Sequence, residues 1–187
     1  YELMNNRVHG SEDALASIVC ERLDDREHAH LLIGGLGMGF TLAGVLKDLG
    51  PRSEVVVAEL VPAVVTWNRG PLGAFAGNPL QDRRVQVREL DVGRVLRAEC
   101  GAYDAILLDV DNGPAGLTSK TNDWLYGRDG LRAAFAALRP RGGRAWIALA
   151  TPAGALGLPL VPAPWPPGAA PRAAGLLSRR EQERCCD

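Results

Sequence analysis

The sequence predicts an α/β protein with a Rossmann-like, doubly wound and mostly parallel sheet. First, the apolar run Leu31–Ile33 breaks into a glycine-rich turn, Gly34–Gly39, and then resumes as a helical pattern over Thr41–Leu49. A buried parallel strand is continuously apolar, and glycines let the backbone turn sharply towards a ligand at the start of the next helix. Second, strand-like and helix-like segments alternate up to residue 150, as in a parallel sheet with right-handed crossovers.

The net charge of the chain limits the kinds of molecule it could bind, and its length limits the number of domains. The 187 residues carry a formal net charge of −1, which favours neither nucleic acid nor an acidic membrane. The length fits one domain with a sizeable core. No long apolar span or signal peptide is visible, so we expect a cytoplasmic protein. The four cysteines lack metal-type spacing, and no metal site is predicted.

The first predicted helix follows His9. Ser11 can cap it, and Glu12 and Asp13 suit the positive end of its dipole. One face of this helix is apolar at helical spacing, through Leu15, Ile18, Val19 and Leu23. The two histidines that follow, His28 and His30, are interpreted as part of a solvent-exposed linker, because a metal site would need further ligands.

A carboxylate closes the second predicted strand, Glu54–Leu60. Glu59 stands roughly 20 residues beyond the glycines, where an acid in a nucleotide-binding unit accepts from the ribose hydroxyls. The alternative is a solvated acid at the strand end. Because an acid that closes a wholly apolar strand has few structural reasons to be there, the ribose role is favoured.

The next elements bring a second acid to the same edge of the sheet. A helix over Pro62–Asn68 is followed by a glycine-rich connector, Pro71–Gln81, and by a strand over Val85–Leu90. Asp91 stands at the end of that strand. It either accepts from the exocyclic amine of adenine or caps the helix predicted over Gly93–Glu99, a role in which aspartate is favoured.

The stretch Tyr103–Pro114 combines a buried strand with a polar loop. It delivers Asp109, Asp111 and Asn112 to the carboxyl end of a central strand, where clustered carboxylates usually belong to a site. The alternative for Asp111 and Asn112 is a turn stabilised by their own side chains. Site residues are therefore expected here, with Asp109 the strongest of the three.

Two aromatic residues, Trp124 and Tyr126, follow this acidic loop. The carboxylates of the loop and these two rings together would suit a cationic amine, through charge pairing and cation–π contact. Packing in the core is the favoured alternative for both rings. A helix over Asp129–Leu138 and a strand over Arg144–Ala150 complete the alternation. Residues 151–187, rich in proline, alanine and glycine at first and charged at the end, predict an irregular tail without strands.

The glycine turn also narrows the choice of cofactor. A nicotinamide-dinucleotide fingerprint needs glycine or alanine where this chain has Phe40, so a dehydrogenase is disfavoured. A phosphate-binding P-loop is excluded because no Gly-Lys-Ser/Thr follows the glycines.

From Val8 to Ala150 the chain resembles the class I S-adenosylmethionine-dependent methyltransferase superfamily and, within it, the spermidine synthases. The resemblance rests on four motifs in order, which are the turn Ile33–Gly39, Glu59, Asp91 and the stretch Tyr103–Pro114. It implies that residues 1–150 form a catalytic domain for S-adenosylmethionine or its decarboxylated form. The implied cofactor contacts are Gly35, Gly37, Gly39, Glu59, Asp91 and Asp109. The implied catalytic residues are Asp109, Asp111 and Asn112. His9 and Glu12 resemble the histidine and glutamate that open the family's catalytic domain, and they join Trp124 and Tyr126 as candidate substrate contacts.

Departures from the family leave the reaction open. Spermidine synthases carry an aspartate where this chain has Gly37, and a second loop aspartate where it has Asn112. The closing helix and strand pair expected after Ala150 are missing or replaced. We therefore expect transfer of a methyl or an aminopropyl group to a small, amine-type acceptor. The alternative is a non-catalytic module that binds a nucleoside or a partner chain, and an open sheet edge would favour a homodimer.

Overall fold

A computed structural model of the chain describes residues 10–110, 123–139, 145–151 and 154–160. The helices are α1 (Gly10–Cys20), α2 (Phe40–Asp48), α3 (Pro62–Arg69), α4 (Val92–Ala98), α5 (Asp123–Tyr126) and α6 (Arg128–Ala137). The strands are β1 (His30–Gly34), β2 (Glu54–Ala58), β3 (Val85–Arg88), β4 (Ala105–Leu108), β5 (Ala145–Thr151) and β6 (Gly154–Leu160). Two short 3-10 helices, Gly73–Ala76 and Pro79–Gln81, lie in the connector between α3 and β3.

The strands form one sheet in the order β3-β2-β1-β4-β5-β6. The first five are parallel to their neighbours, and β6 alone runs antiparallel, beside β5. From β1 to β3 successive strands are added on one side of β1, and from β4 onwards they are added on its other side. The strand order therefore reverses between the adjacent strands β1 and β4. The predicted fold class is thus confirmed. In open sheets of this type, ligands bind outside the carboxyl ends of the strands at such a switch point.

Two layers of helices cover the sheet. Side chains alternate along β1, so that Leu31 and Ile33 belong to one core cluster with α1 and α2, while Leu32 belongs to the other with α4 and α6. Both faces of β1 and β4 are therefore buried. Burial on both faces explains why these strands are continuously apolar in the sequence.

The prediction that no strand follows residue 150 is wrong. Strand β6 begins three residues after Thr151 and pairs along its whole length with β5, from Thr151↔Gly154 to Ala145↔Leu160. Its segment has leucines at every second position, Leu156, Leu158 and Leu160, but the glycines and the proline between and before them disfavour a strand. The sequence predicts β5 to be an open edge that a second subunit could pair with. Because β6 pairs with β5, the sheet ends at β6 instead. Dimerisation itself stays a prediction.

The linker interpretation is also wrong for His30, which is the first residue of β1. Its backbone N–H donates to Oδ2 of Asp104 at 2.8 Å, and its ring Nδ1 lies 2.9 Å from the carbonyl oxygen of Ala102. His28 is exposed, with Nδ1 3.0 Å from Asp25 Oδ2. The described residues contain no cluster of metal ligands. They also contain no helix long and apolar enough to cross a membrane.

Candidate functional site

The carboxyl ends of four parallel strands meet at one edge of the sheet and carry the predicted site residues. The glycine turn follows β1, Glu59 follows β2, Asp91 stands beyond β3 and Asp109 follows β4. Since β1 lies between β2 and β4, the turn has a carboxylate on either side. The structure connects both of these carboxylates directly to the turn or to the helix that it opens.

Gly35 makes the closest backbone approach in the site. Its φ angle is +90°, and its N–H donates to the carbonyl oxygen of Ala58 at 2.9 Å. A Cβ atom at Gly35 would lie only 2.1 Å from the backbone oxygen of Asp109. Only glycine fits between β2 and the end of β4, because a side chain would push the turn away from Asp109.

The two other glycines of the turn differ in what surrounds them. Gly37 and Gly39 have φ angles of +51° and +83°. A Cβ at Gly39 would meet Pro79 at 3.1 Å and Asn68 at 3.2 Å, so the connector after α3 packs against this end of the turn. A Cβ at Gly37 would meet no atom of the described residues within 4 Å. The described part of the chain thus leaves open space directly over Gly37.

Glu59 is a buried carboxylate, only 7% exposed, that holds two loops together. Its Oε2 accepts a hydrogen bond from the N–H of Leu36 at 2.8 Å, and its Oε1 accepts one from the N–H of Val61 at 2.8 Å. These two backbone partners were not predicted from the sequence. A carboxylate has about four lone-pair positions, so the capacity to accept from ribose hydroxyls remains. The ribose role stays a prediction.

Asp109 is positioned from both sides of the switch point. Its N–H donates to the carbonyl oxygen of Gly34 at 2.8 Å. Its Oδ2 accepts a hydrogen bond of 2.6 Å from the hydroxyl of Thr41, which is 3% exposed in the first turn of α2. This length is typical of a hydroxyl that donates to an ionised carboxylate. Sequence reasoning missed Thr41, although its place just after the glycine turn was a usable signal.

Asp91 is the N-cap of α4, which is the structural alternative considered from the sequence. Its Oδ1 accepts a hydrogen bond from the N–H of Arg94 at 3.1 Å. Its side chain is partly exposed. The capping bond engages Oδ1, and the contact with adenine stays a prediction for the other oxygen.

Trp124 and Tyr126 both pack partly buried against the second core cluster. The Trp124 ring covers the first turn of α4, since its Cζ3 lies 2.9 Å from where a Cβ of Gly93 would be. The guanidinium carbon of Arg97 lies 4.1 Å from the centre of that ring. The Tyr126 hydroxyl oxygen is 3.5 Å from the Val110 carbonyl oxygen. The structure thus shows the packing expected of these rings, and their contact with an amine stays a prediction.

The remaining predicted site residues are only partly visible. Glu12 lies partly buried in the first turn of α1, which begins at Gly10, so Ser11 lies within the helix. His9, Asp111 and Asn112 lie outside the described residues. For these four positions the substrate and catalytic roles stay predictions.

The fold is similar to that of several transferases of known structure. Spermidine synthase from Thermotoga maritima superposes with a TM-score of 0.59 at 19% identity, over 74% of this chain and 42% of that one. A spermidine synthase bound to the transition state analogue AdoDATO gives 0.58 at 19% identity, over 74% and 41%. A candidate O-methyltransferase from Klebsiella pneumoniae gives 0.52 at 22% identity, over 75% and 56%.

A fourth similar structure, TrmN from Thermus thermophilus, has a TM-score of 0.52 at 26% identity, over 73% of this chain and 38% of that one. This chain therefore spans less than half the length of the spermidine synthases that it matches. No protein-family model and no curated protein matches its sequence. The fold implied by the resemblance to S-adenosylmethionine-dependent transferases and spermidine synthases is confirmed.

Proposed function

We propose that this chain is a transferase that binds S-adenosylmethionine or its decarboxylated form and transfers a methyl or aminopropyl group to a small amine. One observation carries the proposal. At the switch point, the N–H of Leu36 in the glycine turn donates a hydrogen bond to Glu59, and the hydroxyl of Thr41 in α2, the helix that follows the turn, donates one to Asp109. The solved structures with this fold support the same reaction class.

The residues present fit such a cofactor. The open space over Gly37 would admit the methionine-derived part, and the close approach of Gly35 to Asp109 would hold that part beside the Asp109 carboxylate. Glu59, fixed by two backbone amides, would accept from the ribose hydroxyls. Asp91 would receive the exocyclic amine of adenine with the oxygen that does not cap α4.

When bound, the cofactor supplies a carbon that is activated by positively charged sulfur, so the protein mainly has to position the acceptor and take a proton. Asp109 would orient the amine and accept the proton that the nitrogen loses as its new bond to carbon forms; the carbon–sulfur bond would break in the same displacement and its electron pair would leave with sulfur as a neutral thioether. The Thr41 hydroxyl fixes one oxygen of that carboxylate and thereby its direction. Asp111 and Asn112 would hold the remaining polar groups of the acceptor.

The identity of the transferred group depends on Gly37. A turn without a carboxylate lacks a partner for the cationic amine end of the decarboxylated cofactor, which favours methyl transfer, whereas the resemblance to spermidine synthases favours aminopropyl transfer to putrescine. Calorimetric titration with both cofactors distinguishes the two. Tighter binding of S-adenosylmethionine supports a methyltransferase, tighter binding of the decarboxylated form excludes it, and binding of neither overturns the proposal.

A further inference from the structure

Asn68 is an almost fully buried amide in α3 that reaches the glycine turn. It is 2% exposed, and its Nδ2 donates to the carbonyl oxygen of Gly37 at 2.8 Å and to that of Val64 at 3.0 Å. Both amide hydrogens are therefore used on backbone carbonyls. Of the two bonds, only the one to Gly37 leaves the helix, and it ties α3 to the residue beneath the open space.

The connector after α3 fixes Asn68 in place. A Cβ at Gly73 would lie 2.2 Å from the Asn68 backbone oxygen, so the chain returns directly against it. The side-chain oxygen of Asn68 faces the other end of the turn, 3.2 Å from where a Gly39 Cβ would be. These contacts leave the Asn68 side chain little freedom to turn away from Gly37.

Asn68 is an unfavourable choice for stability. Its Oδ1 has no hydrogen-bond partner among the described residues, and a buried acceptor without one is costly. Asparagine is also a weaker helix former than alanine or leucine. An apolar residue would avoid both costs but would leave the Gly37 carbonyl without this donor, so the contribution that distinguishes asparagine at this position is its bond to Gly37.

We propose that Asn68 is a positioning residue for the cofactor's amino-acid end. By holding the Gly37 carbonyl, it fixes the left-handed turn and keeps the space above Gly37 open for that end. Asn68 acts through Gly37 and is itself too buried to touch the cofactor. This inference rests on the proposed function.

The test compares two ligands by calorimetry on the full chain. S-adenosylhomocysteine has the amino-acid end, and 5′-methylthioadenosine lacks it. Asn68→Ala removes the amide, while Asn68→Asp keeps its size but turns the donor into an acceptor. Both variants are expected to bind S-adenosylhomocysteine about tenfold or more weakly. Both should bind 5′-methylthioadenosine as the wild type does. Asn68→Ala should unfold at a lower denaturant concentration, because the carbonyl of Gly37 loses its donor.

Ser53→Ala is the matched control. Ser53 is also 2% exposed and its hydroxyl donates to the carbonyl oxygen of Arg26 at 2.6 Å, just before β2 and at the opposite edge of the sheet. This variant should lose stability and keep both affinities. Unchanged binding of S-adenosylhomocysteine by Asn68→Ala, or equal loss for both ligands, would overturn the positioning role alone. A wild type that binds neither ligand would overturn the proposed function and this inference with it.

Discussion

The hydroxyl of Thr41 donates a 2.6 Å hydrogen bond to the carboxylate of Asp109. Thr41 lies in the first turn of α2, directly after the glycine turn, and Asp109 lies directly after β4. The bond therefore joins the cofactor side of the proposed site to its catalytic side. Because β1 and β4 are neighbouring parallel strands, the fold brings these two residues together although they are far apart in sequence.

Thr41→Val tests this bond with a side chain of nearly the same shape. A hydrogen bond to a charged group is worth roughly 1.5–3 kcal/mol, so we expect Thr41→Val to lower the free energy of unfolding by about that amount. Turnover should fall about tenfold because Asp109 loses its fixed direction. Thr41→Ser keeps the hydroxyl and should restore turnover. If valine and serine at this position behave alike in steady-state kinetics, Thr41 does not position Asp109.

Gly35→Ala and Gly37→Ala form a matched pair within one turn. At Gly35 the new methyl would lie 2.1 Å from the Asp109 backbone oxygen, whereas at Gly37 it would meet none of the residues that the structure describes within 4 Å. Both positions add the strain of a positive φ, about 1–2 kcal/mol. Only Gly35→Ala adds a backbone clash, so it should cost at least about 2 kcal/mol more in chemical denaturation. Equal losses would contradict the described geometry.

Gly37→Asp tests the residue on which the choice of cofactor depends. The open space leaves room for the side chain, and aspartate tolerates the left-handed conformation better than most residues. The new carboxylate should favour the cationic end of decarboxylated S-adenosylmethionine and repel the carboxylate of the ordinary form. We expect the affinity ratio of the two, measured by calorimetry, to shift about tenfold towards the decarboxylated cofactor. No shift would show that neither end lies over Gly37.

A pH-dependent contribution to stability is expected from Asp82, which lies remote from the proposed site. The Arg84 guanidinium donates to both of its oxygens, at 3.0 and 2.7 Å, and lowers the pKa of Asp82 below its ordinary value. Arg84 also donates to carbonyls at the end of α2, including that of Leu49 at 2.6 Å. Asp82 therefore stabilises the fold above its ordinary pKa, about 4, and this contribution is lost as the pH falls through the lowered value.

Asp82→Asn should accordingly lower the free energy of unfolding near pH 7 by about 1 kcal/mol, since the pair is partly solvated. The difference from the wild type should shrink as the pH falls below 4. Arg83→Ala is the control, because Arg83 is exposed, donates to the Pro51 carbonyl at 3.4 Å and acts on the pKa of Asp82 only weakly, through its charge. It should change the pH dependence much less than Asp82→Asn. A difference that is constant from neutral to acid pH would rule out the ion pair as its cause.

Much of the fold could be predicted because each signal was local. Continuous apolar runs predicted the strands that are buried on both faces, and the spacing from the glycines to Glu59 predicted which acid lies beside the turn. Strand β6 was not predicted, because its glycines and Pro159 disfavour a strand and outweighed the leucines at every second position. Its pairing with β5 is a tertiary contact that the sequence does not display. His30 was misassigned because its partners, Asp104 and Ala102, are distant in sequence.

The site was predicted as a set of residues and not as a set of contacts. Asp109 and Glu59 stood out as charges at the ends of apolar strands. Thr41 and Asn68 did not. The only signal for Thr41 was its place just after the glycine turn, and an asparagine in a helix such as Asn68 carries no signal until its tertiary partner is known. For Asp91 the sequence could not distinguish a helix cap from a contact with adenine, because both roles favour an aspartate at this position.

Asp109→Asn tests the central claim most directly. The full chain is incubated with S-adenosylmethionine or its decarboxylated form and a panel of small amines that includes putrescine, and the thioether product is measured by mass spectrometry. We predict product from the wild type and none from Asp109→Asn, with cofactor affinity by calorimetry unchanged, because the amide keeps the size of the side chain but cannot take the proton. Unchanged product formation by Asp109→Asn would contradict the account.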